Sequence, residues 1–383
     1  MKYLLPLLLL QAATAAETLE ELWKLPLLYK NTSHDGFREF TLAGNFQWNW
    51  AEGDSDRGSF GSRDRTDEST WDGIEVRRMD VGFRAQYSDE WRLQVKFNVN
   101  PEGRLDPSYD DSFGHGWYRD IQQFSLVYTY SPAFHMGIGK ITPKFFSAEY
   151  YQSSTDLIVF ERSLLVDALV PREITGIWAS GSRDNRLYAL AVYAGDHQAE
   201  FTEFDAGVIV QFSFAYDFGR YLDVDRAIVK FDHQFSDSTK NSAGAGRFKH
   251  ADSINILIQK DRWSLYTDLL AGMGHEGQGD VIGFTLTPSY RLTDKLEMVF
   301  RYQHANGEDD ALQLLSRYER LAPDLTDGGR GSSFDAAYLG LNYYVHGHKL
   351  KVMAGTEYQS MDGGGDGGDY EGFTTLVGLR LSF

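Results

Sequence analysis

From Phe40 to the C-terminus, apolar and polar side chains alternate with a period of two. The clearest run is Trp91-Arg92-Leu93-Gln94-Val95-Lys96-Phe97-Asn98-Val99, in which every odd position is apolar. Such alternation gives a strand one apolar and one polar face. Val208, Val210, Phe212, Phe214 and Tyr216 repeat it against Gln211, Ser213 and Asp217, as do Ala227, Val229 and Phe231 against Lys230, Asp232 and Gln234. About sixteen such segments can be counted, centred near Phe46, Val81, Val95, Leu126, Ile138, Ile177, Ala189, Phe212, Val229, Ile256, Leu269, Leu286, Phe300, Leu339, Ala354 and Leu379. Each approaches the ~10 residues that a tilted membrane strand needs, and an even count returns both chain ends to one side.

The links between these segments fall into two alternating kinds. Short ones are Ser88-Asp89-Glu90, Ser131 to Phe134, Ser182 to Asn185, Gly219 to Asp223, Asp261-Arg262, Arg291 to Lys295 and His346-Gly347-His348. Between them lie long ones, including Ala51 to Asp72, Pro101 to Asp120, Phe145 to Pro171, Ala305 to Ser333 and Ser360 to Gly372. Tyr87, Trp91, Tyr130, Tyr216, Trp263, Tyr290, Tyr343 and Phe383 sit at the short-turn ends, as an interfacial aromatic girdle would.

The pattern predicts an all-β fold: a transmembrane antiparallel barrel over residues 37–383, with short periplasmic turns and long extracellular loops. An open edge in hydrocarbon would leave backbone groups unpaired, so the sheet must close. Sixteen strands leave an aqueous channel, and the chain is too short to add a plug domain, so a loop folded into the lumen must supply any constriction. Alternation turns Arg78, Asp80, Arg84, Arg92, Lys96, Asp217, Lys230, Asp232, Asp268, Glu297, Arg301, Lys351, Glu357 and Arg380 inward, a set of mixed sign with a basic excess.

The N-terminus adds a destination. Lys2, the apolar run Leu4 to Leu10 and the small residues Ala12 to Ala16 make residues 1–16 a cleaved secretory signal, too short to span a bilayer as a helix. Residues 17–36 read as a periplasmic leader, with a capping box at Thr18-Leu19-Glu20-Glu21 before a short helix limited by Pro26. The absence of cysteine excludes disulfides, thiol nucleophiles and thiolate metal sites.

A formal charge of -18 argues against a nucleic-acid partner. Much of the acid lies in long loops, at Glu52 to Asp56, Glu308-Asp309-Asp310 and Asp362 to Asp369, where divalent cations could bridge to lipopolysaccharide. The ligand spacing does not match a Ca²⁺ loop, and no cofactor or metal is expected.

Glu75-Val76-Arg77-Arg78-Met79-Asp80-Val81-Gly82 resembles the double-arginine strand of the phosphate-selective porin O and P family. The stretch from Gly137 to Asp196, with Glu161-Arg162-Ser163 and Pro171-Arg172, resembles that family's strand, long loop and returning strand, and Tyr338 to Tyr344 also fits. The resemblance implies a homotrimer in which the loop carrying Phe145 to Pro171 narrows the channel, with Arg162 and Arg172 as constriction residues. It also implies an anion ladder from Arg78, Arg84, Lys144, Arg162 and Arg172, although the interspersed lumenal acids and the negative total charge depart from the phosphate-specific pattern.

The expected function is that of an outer-membrane porin passing small hydrophilic solutes, with a phosphate- or pyrophosphate-selective channel as the narrower alternative. The candidate pore-lining residues are Arg78, Arg84, Arg92, Lys96, Lys144, Arg162, Arg172, Lys230 and Arg301. Two other classes stay open. One is an outer-membrane enzyme such as a barrel lipase, for which His233 is the only histidine that alternation turns toward lipid. The other is a structural barrel that does not conduct.

Overall fold

The computed structural model describes residues 21, 23–32, 36–55, 70–99, 118–143, 145–202, 205–237, 247–275, 277–313, 330–362 and 370–383. The expected signal segment, Lys144 and, of the named acidic loop residues, Asp56, Asp366 and Asp369 lie outside them. Sixteen strands form the barrel: β1 (Phe37–Ser55), β2 (Thr70–Tyr87), β3 (Trp91–Val99), β4 (Tyr118–Ser131), β5 (Phe134–Ile141), β6 (Ile174–Arg183), β7 (Arg186–Ala194) and β8 (Val208–Asp217), followed by β9 (Arg226–Ser236), β10 (Phe248–Lys260), β11 (Trp263–Gly274), β12 (Val281–Arg291), β13 (Leu296–Gly307), β14 (Ser333–His346), β15 (Leu350–Asp362) and β16 (Tyr370–Ser382). Each of the expected strand centres lies within one of them.

Every strand pairs antiparallel with the next, and β16 returns to β1 from Gly372↔Ser55 to Ser382↔Asn45. The last residue completes the seam: the Phe383 N–H donates to Gly44 at 3.0 Å and the Gly44 N–H donates to Phe383 at 3.1 Å. Closure leaves no edge in the sheet where lipid would meet it.

Short turns use residues that tolerate left-handed backbone. Asp184 and Asn185 have φ of 50° and 65° between the paired Arg183 and Arg186, the double positive φ of a tight hairpin turn. β1 and β2 run five and three residues further into their loop than the sequence pattern suggests, to Ser55 and from Thr70. Above the hydrocarbon both faces are wet, so the hydropathy contrast fades before the pairing does.

The leader also differs from expectation. Instead of a helix reaching Leu27, residues 23–26 form a turn and Leu27–Lys30 is a strand paired with β1 at Leu27↔Thr41 and Lys30↔Glu39. The cause is geometric. β1 starts at Phe37 whereas its closing partner ends at Ser382 opposite Asn45, leaving a stretch of β1 edge that the leader fills.

The barrel is inside out by the standards of a soluble protein. Ile138, Ile177, Leu190, Phe231, Leu269, Phe284 and Leu339 are exposed on the outer wall, while Lys230, Asp232, Asp268, Arg301, Lys351 and Arg380 are buried on the inner one. An apolar exterior and a polar lumen are what a bilayer demands. Trp91 on Tyr128 (4.8 Å between centroids) and Trp263 on Tyr290 (4.4 Å) build the girdle at the short-turn end. No helix among the described residues is long and apolar enough to cross a membrane; the strands span it.

Candidate functional site

The chain between β5 and β6, residues 142–173, enters the barrel and lies against the inner wall. Two apolar patches on that wall receive it. Phe146, Leu164, Leu165, Val166 and Leu169 pack on Phe248, Ala251, Leu270, Val281, Ala305, Phe334 and Met361. Ile158, Val159 and Phe160 pack on Ala51, Val299, Tyr338, Met353 and Leu376. Tyr338 prepares the second patch: its ring lies over Gly340 and Gly355, where a Cβ would come within 2.1 Å and 2.5 Å of the phenol oxygen. The free face of the ring meets Phe160 edge-on at 6.4 Å.

Polar anchors fix the loop between these patches. The Ser147 N–H donates to Asp232 at 3.0 Å, while Ser147 Oγ and the Ala148 N–H both donate to Asp268 at 2.7 Å. Ser147 has φ 74° and ψ 153°, a conformation that a side chain disfavours. The wall carboxylates hold it there. Further along, Asn342 Nδ2 donates to the Ile158 carbonyl at 2.8 Å and Lys351 Nζ to the Leu157 carbonyl at 2.5 Å. The short helix α1 (Leu164–Leu169) has its first amides capped from outside: Ser163 N–H by Glu149 at 2.8 Å and Leu164 N–H by Gln303 at 2.9 Å.

A β-bulge supplies the strongest charged contact. The β1–β2 register passes from Gln47↔Arg78 to Trp48↔Val76, so Arg77 is an extra residue. Both neighbouring arginines therefore reach Glu161 on the loop, Arg77 at 2.5 Å and Arg78 at 3.2 Å. Burial acts to raise the Glu161 pKa, but the charges of Arg77 and Arg78 outweigh it and hold the carboxyl well below the usual carboxylate range. From the opposite wall Arg301 donates to the Glu161 carbonyl at 2.6 Å and to Glu357 at 2.8 Å.

What the loop leaves open is a cavity of about 990 Å³ bounded by the loop itself, the inner faces of β2 to β4 and residues of β13 to β15. Among the described residues, ten arginines and lysines and six carboxylates line it, so its local charge is positive in a chain of net charge -18. Arg78, Arg84, Lys96, Arg162, Arg172 and Arg301 are all on its wall. Arg78 is tied to Glu161 and Lys96 to Asp80 at 3.0 Å. Arg162 stacks over the Tyr150 ring at 4.0 Å and donates to the Gln152 carbonyl at 3.0 Å. Arg84 and Arg172 have no hydrogen-bond or ion-pair partner among the described residues.

Two candidates lie elsewhere. Arg92 is exposed near the Ser88–Glu90 turn, away from the cavity. Lys230 is buried beneath the loop, 3.1 Å from Asp232 and 3.3 Å from the Ser147 carbonyl. Lys144 is outside the described residues. Alternation overlooks Arg77, because a bulge breaks the period, and Arg119 and Arg247, which also line the cavity. It also undercounts outward histidines. His304, beside Phe284 and bonded to Asp335 at 3.0 Å, faces out like His233, which pairs with Asp252 at 2.8 Å.

No family model matches the chain, and no curated protein matches it in sequence. Solved structures match it in shape. OmpF of Salmonella typhi, in a complex with daunomycin, aligns with a TM-score of 0.60 at 12% identity, covering 93% of this chain and 100% of that one. OprB of Pseudomonas putida aligns at 0.58 and 11% identity over 90% and 94% of the two chains. An anion-selective porin from Comamonas acidovorans gives 0.56 and 12% over 90% and 99%. Identities this low speak of fold alone: the chain is an integral β-barrel with the architecture of outer-membrane porins.

Proposed function

We propose that this protein is an outer-membrane porin through which small hydrophilic solutes diffuse, with a preference for anions. One observation carries the reading. A barrel that is apolar outside encloses a water-accessible cavity whose lining holds more arginine and lysine than carboxylate. A fixed ring of positive charge in a narrow wet passage lowers the barrier for anions and raises it for cations. Arg84 and Arg172, unpaired among the described residues, and Arg162, which lines the cavity and makes no ion pair among them, contribute the field. Nothing in this arrangement requires chemistry on the solute, so the protein is read as a channel and not an enzyme.

The narrower reading, phosphate or pyrophosphate as the preferred anion, rests on the sequence resemblance and on this arginine-rich lining. A homotrimer, as that resemblance implies, and lipopolysaccharide as the surrounding partner belong to the same proposal, as do cleavage of residues 1–16 and a leader over 17–36. Planar-bilayer recording of the purified protein tests the channel: stepwise current increments are expected, and a protein that inserts without conducting rejects it. Added phosphate that depresses the chloride current at millimolar concentration supports the phosphate version; chloride current indifferent to phosphate removes it.

A further inference from the structure

The six cavity carboxylates are not equivalent. Asp80 pairs with Lys96, Glu161 with Arg77 and Arg78, and Glu357 with Arg301. Asp156 accepts from Ser153 Oγ at 2.7 Å, and Glu173 accepts from Thr142 Oγ1 at 3.3 Å. The Asp167 carboxylate alone has no hydrogen-bond or ion-pair partner among the described residues. Its position is nevertheless fixed. α1 buries Leu164, Leu165, Val166 and Leu169 in the inner wall, and Asp167 is the exposed residue of that helix, turned to the cavity.

We infer that Asp167 is a specificity-determining residue of the channel, a fixed counter-charge that sets how much of the arginine field a permeating ion meets. This rests on the anion-channel reading and names the group that tunes it. As a carboxylate, Asp167 offsets part of the positive lining; once neutral, it leaves that lining uncovered and the pore more strongly anion-selective. Glu149, Glu161 and Arg162 of the loop and Arg77 of β2 act on it electrostatically, while Arg247 and Arg301 line the same cavity from the facing wall. The loss of bulk solvation inside the barrel and the Glu161 charge, opposed by Arg162 and Arg77, push its pKa up to about 6. The change of state thus falls in the range a bacterial surface meets, and mild acid strengthens the anion preference.

The test is the zero-current potential across planar bilayers in a KCl gradient, at pH 7.5 and pH 5, for the full-length protein, D167N and D167E. In the wild type, the chloride-to-potassium permeability ratio should rise about tenfold on acidification, because one unit charge ~6 Å away in water shifts each ion by about threefold and in opposite directions. D167N should show the raised ratio at both pH values, and D167E should restore the pH step. A wild-type ratio and an undiminished pH step in D167N would overturn the assignment, including the case in which His197 on the cavity wall is responsible. The parent reading fails separately: a wild type that prefers potassium at both pH values rejects the anion channel, whatever D167N does.

Discussion

Arg77 grips Glu161 with two parallel bonds, Nε to Oε1 at 2.5 Å and Nη2 to Oε2 at 2.9 Å, joining a bulge in the barrel wall to the loop packed inside the barrel. A guanidinium and a carboxylate meeting side-on give direction as well as energy. Because Arg78 shares the same carboxylate, one loop residue holds two wall cations and leaves the cluster with a net positive charge.

The Glu161→Gln variant should therefore loosen the loop and release two cations at once. Loss of the charge-assisted bonds should cost about 1.5–3 kcal/mol. Single-channel recordings should show noisier open current together with a higher anion preference. The pH dependence has a definite sign. The folded carboxyl lies below its ordinary pKa, so the clamp is fully present above that ordinary value and is lost only as pH falls through the lower, folded one. Open-channel noise should therefore stay level from pH 7 down to about pH 4.3, the ordinary glutamate value.

Ser147 combines a strained backbone with a side chain that donates to Asp268 at 2.7 Å. Ser147→Ala keeps the strain and removes a donor from a buried carboxylate, a loss of about 1–3 kcal/mol. Ser147→Gly removes the same donor but relieves the backbone. Thermal unfolding in detergent should rank wild type above the glycine variant and the glycine variant above the alanine one; the reverse order of the two variants would show that the backbone conformation is not strained.

Charge selectivity should follow the cations that have no partner among the described residues. Arg84→Ala and Arg172→Ala should each lower the chloride-to-potassium permeability ratio by about tenfold, by the same unit-charge argument. Gln in place of Arg78 should change the ratio less, because Glu161 already offsets part of that charge. The three reversal potentials, measured under one salt gradient, decide the point.

The outer wall makes its own prediction. Leu286 sits midway along β12 and faces outward, so Leu286→Arg should destabilise the inserted barrel by ~2–4 kcal/mol, the cost of a cation near mid-bilayer. Urea titration of refolding into lipid vesicles measures it.

Much of this fold was legible because a membrane strand is the simplest of patterns. Phe231 outside against Lys230 and Asp232 inside is visible in the sequence, and so is the turn at Asp184-Asn185. Where the period breaks, the reading breaks with it. The bulge at Arg77 turns a residue that alternation assigns to lipid into the loop's main anchor. The loop's route is invisible for another reason: Phe160 finds Tyr338, and Ser147 finds Asp268, across contacts of long sequence separation that no local spacing encodes. The same blindness hid the pairing that separates Arg78, bound to Glu161, from Arg84, unpaired among the described residues. Lys230 shows the limit plainly, since the sequence turns it inward correctly but cannot reveal that the loop then covers it.

The cysteine-free chain allows a direct test of the central claim, that residues 142–173 lie in the conducting path. Ser153 is exposed on the cavity lining and Ile138 on the outer wall. With single Ser153→Cys and Ile138→Cys variants in planar bilayers, a water-soluble anionic thiol reagent should cut the current in discrete steps for the first and leave the second unchanged. Labelled Ser153→Cys channels, verified by mass, that conduct like unlabelled ones would place the loop outside the pore and contradict the account.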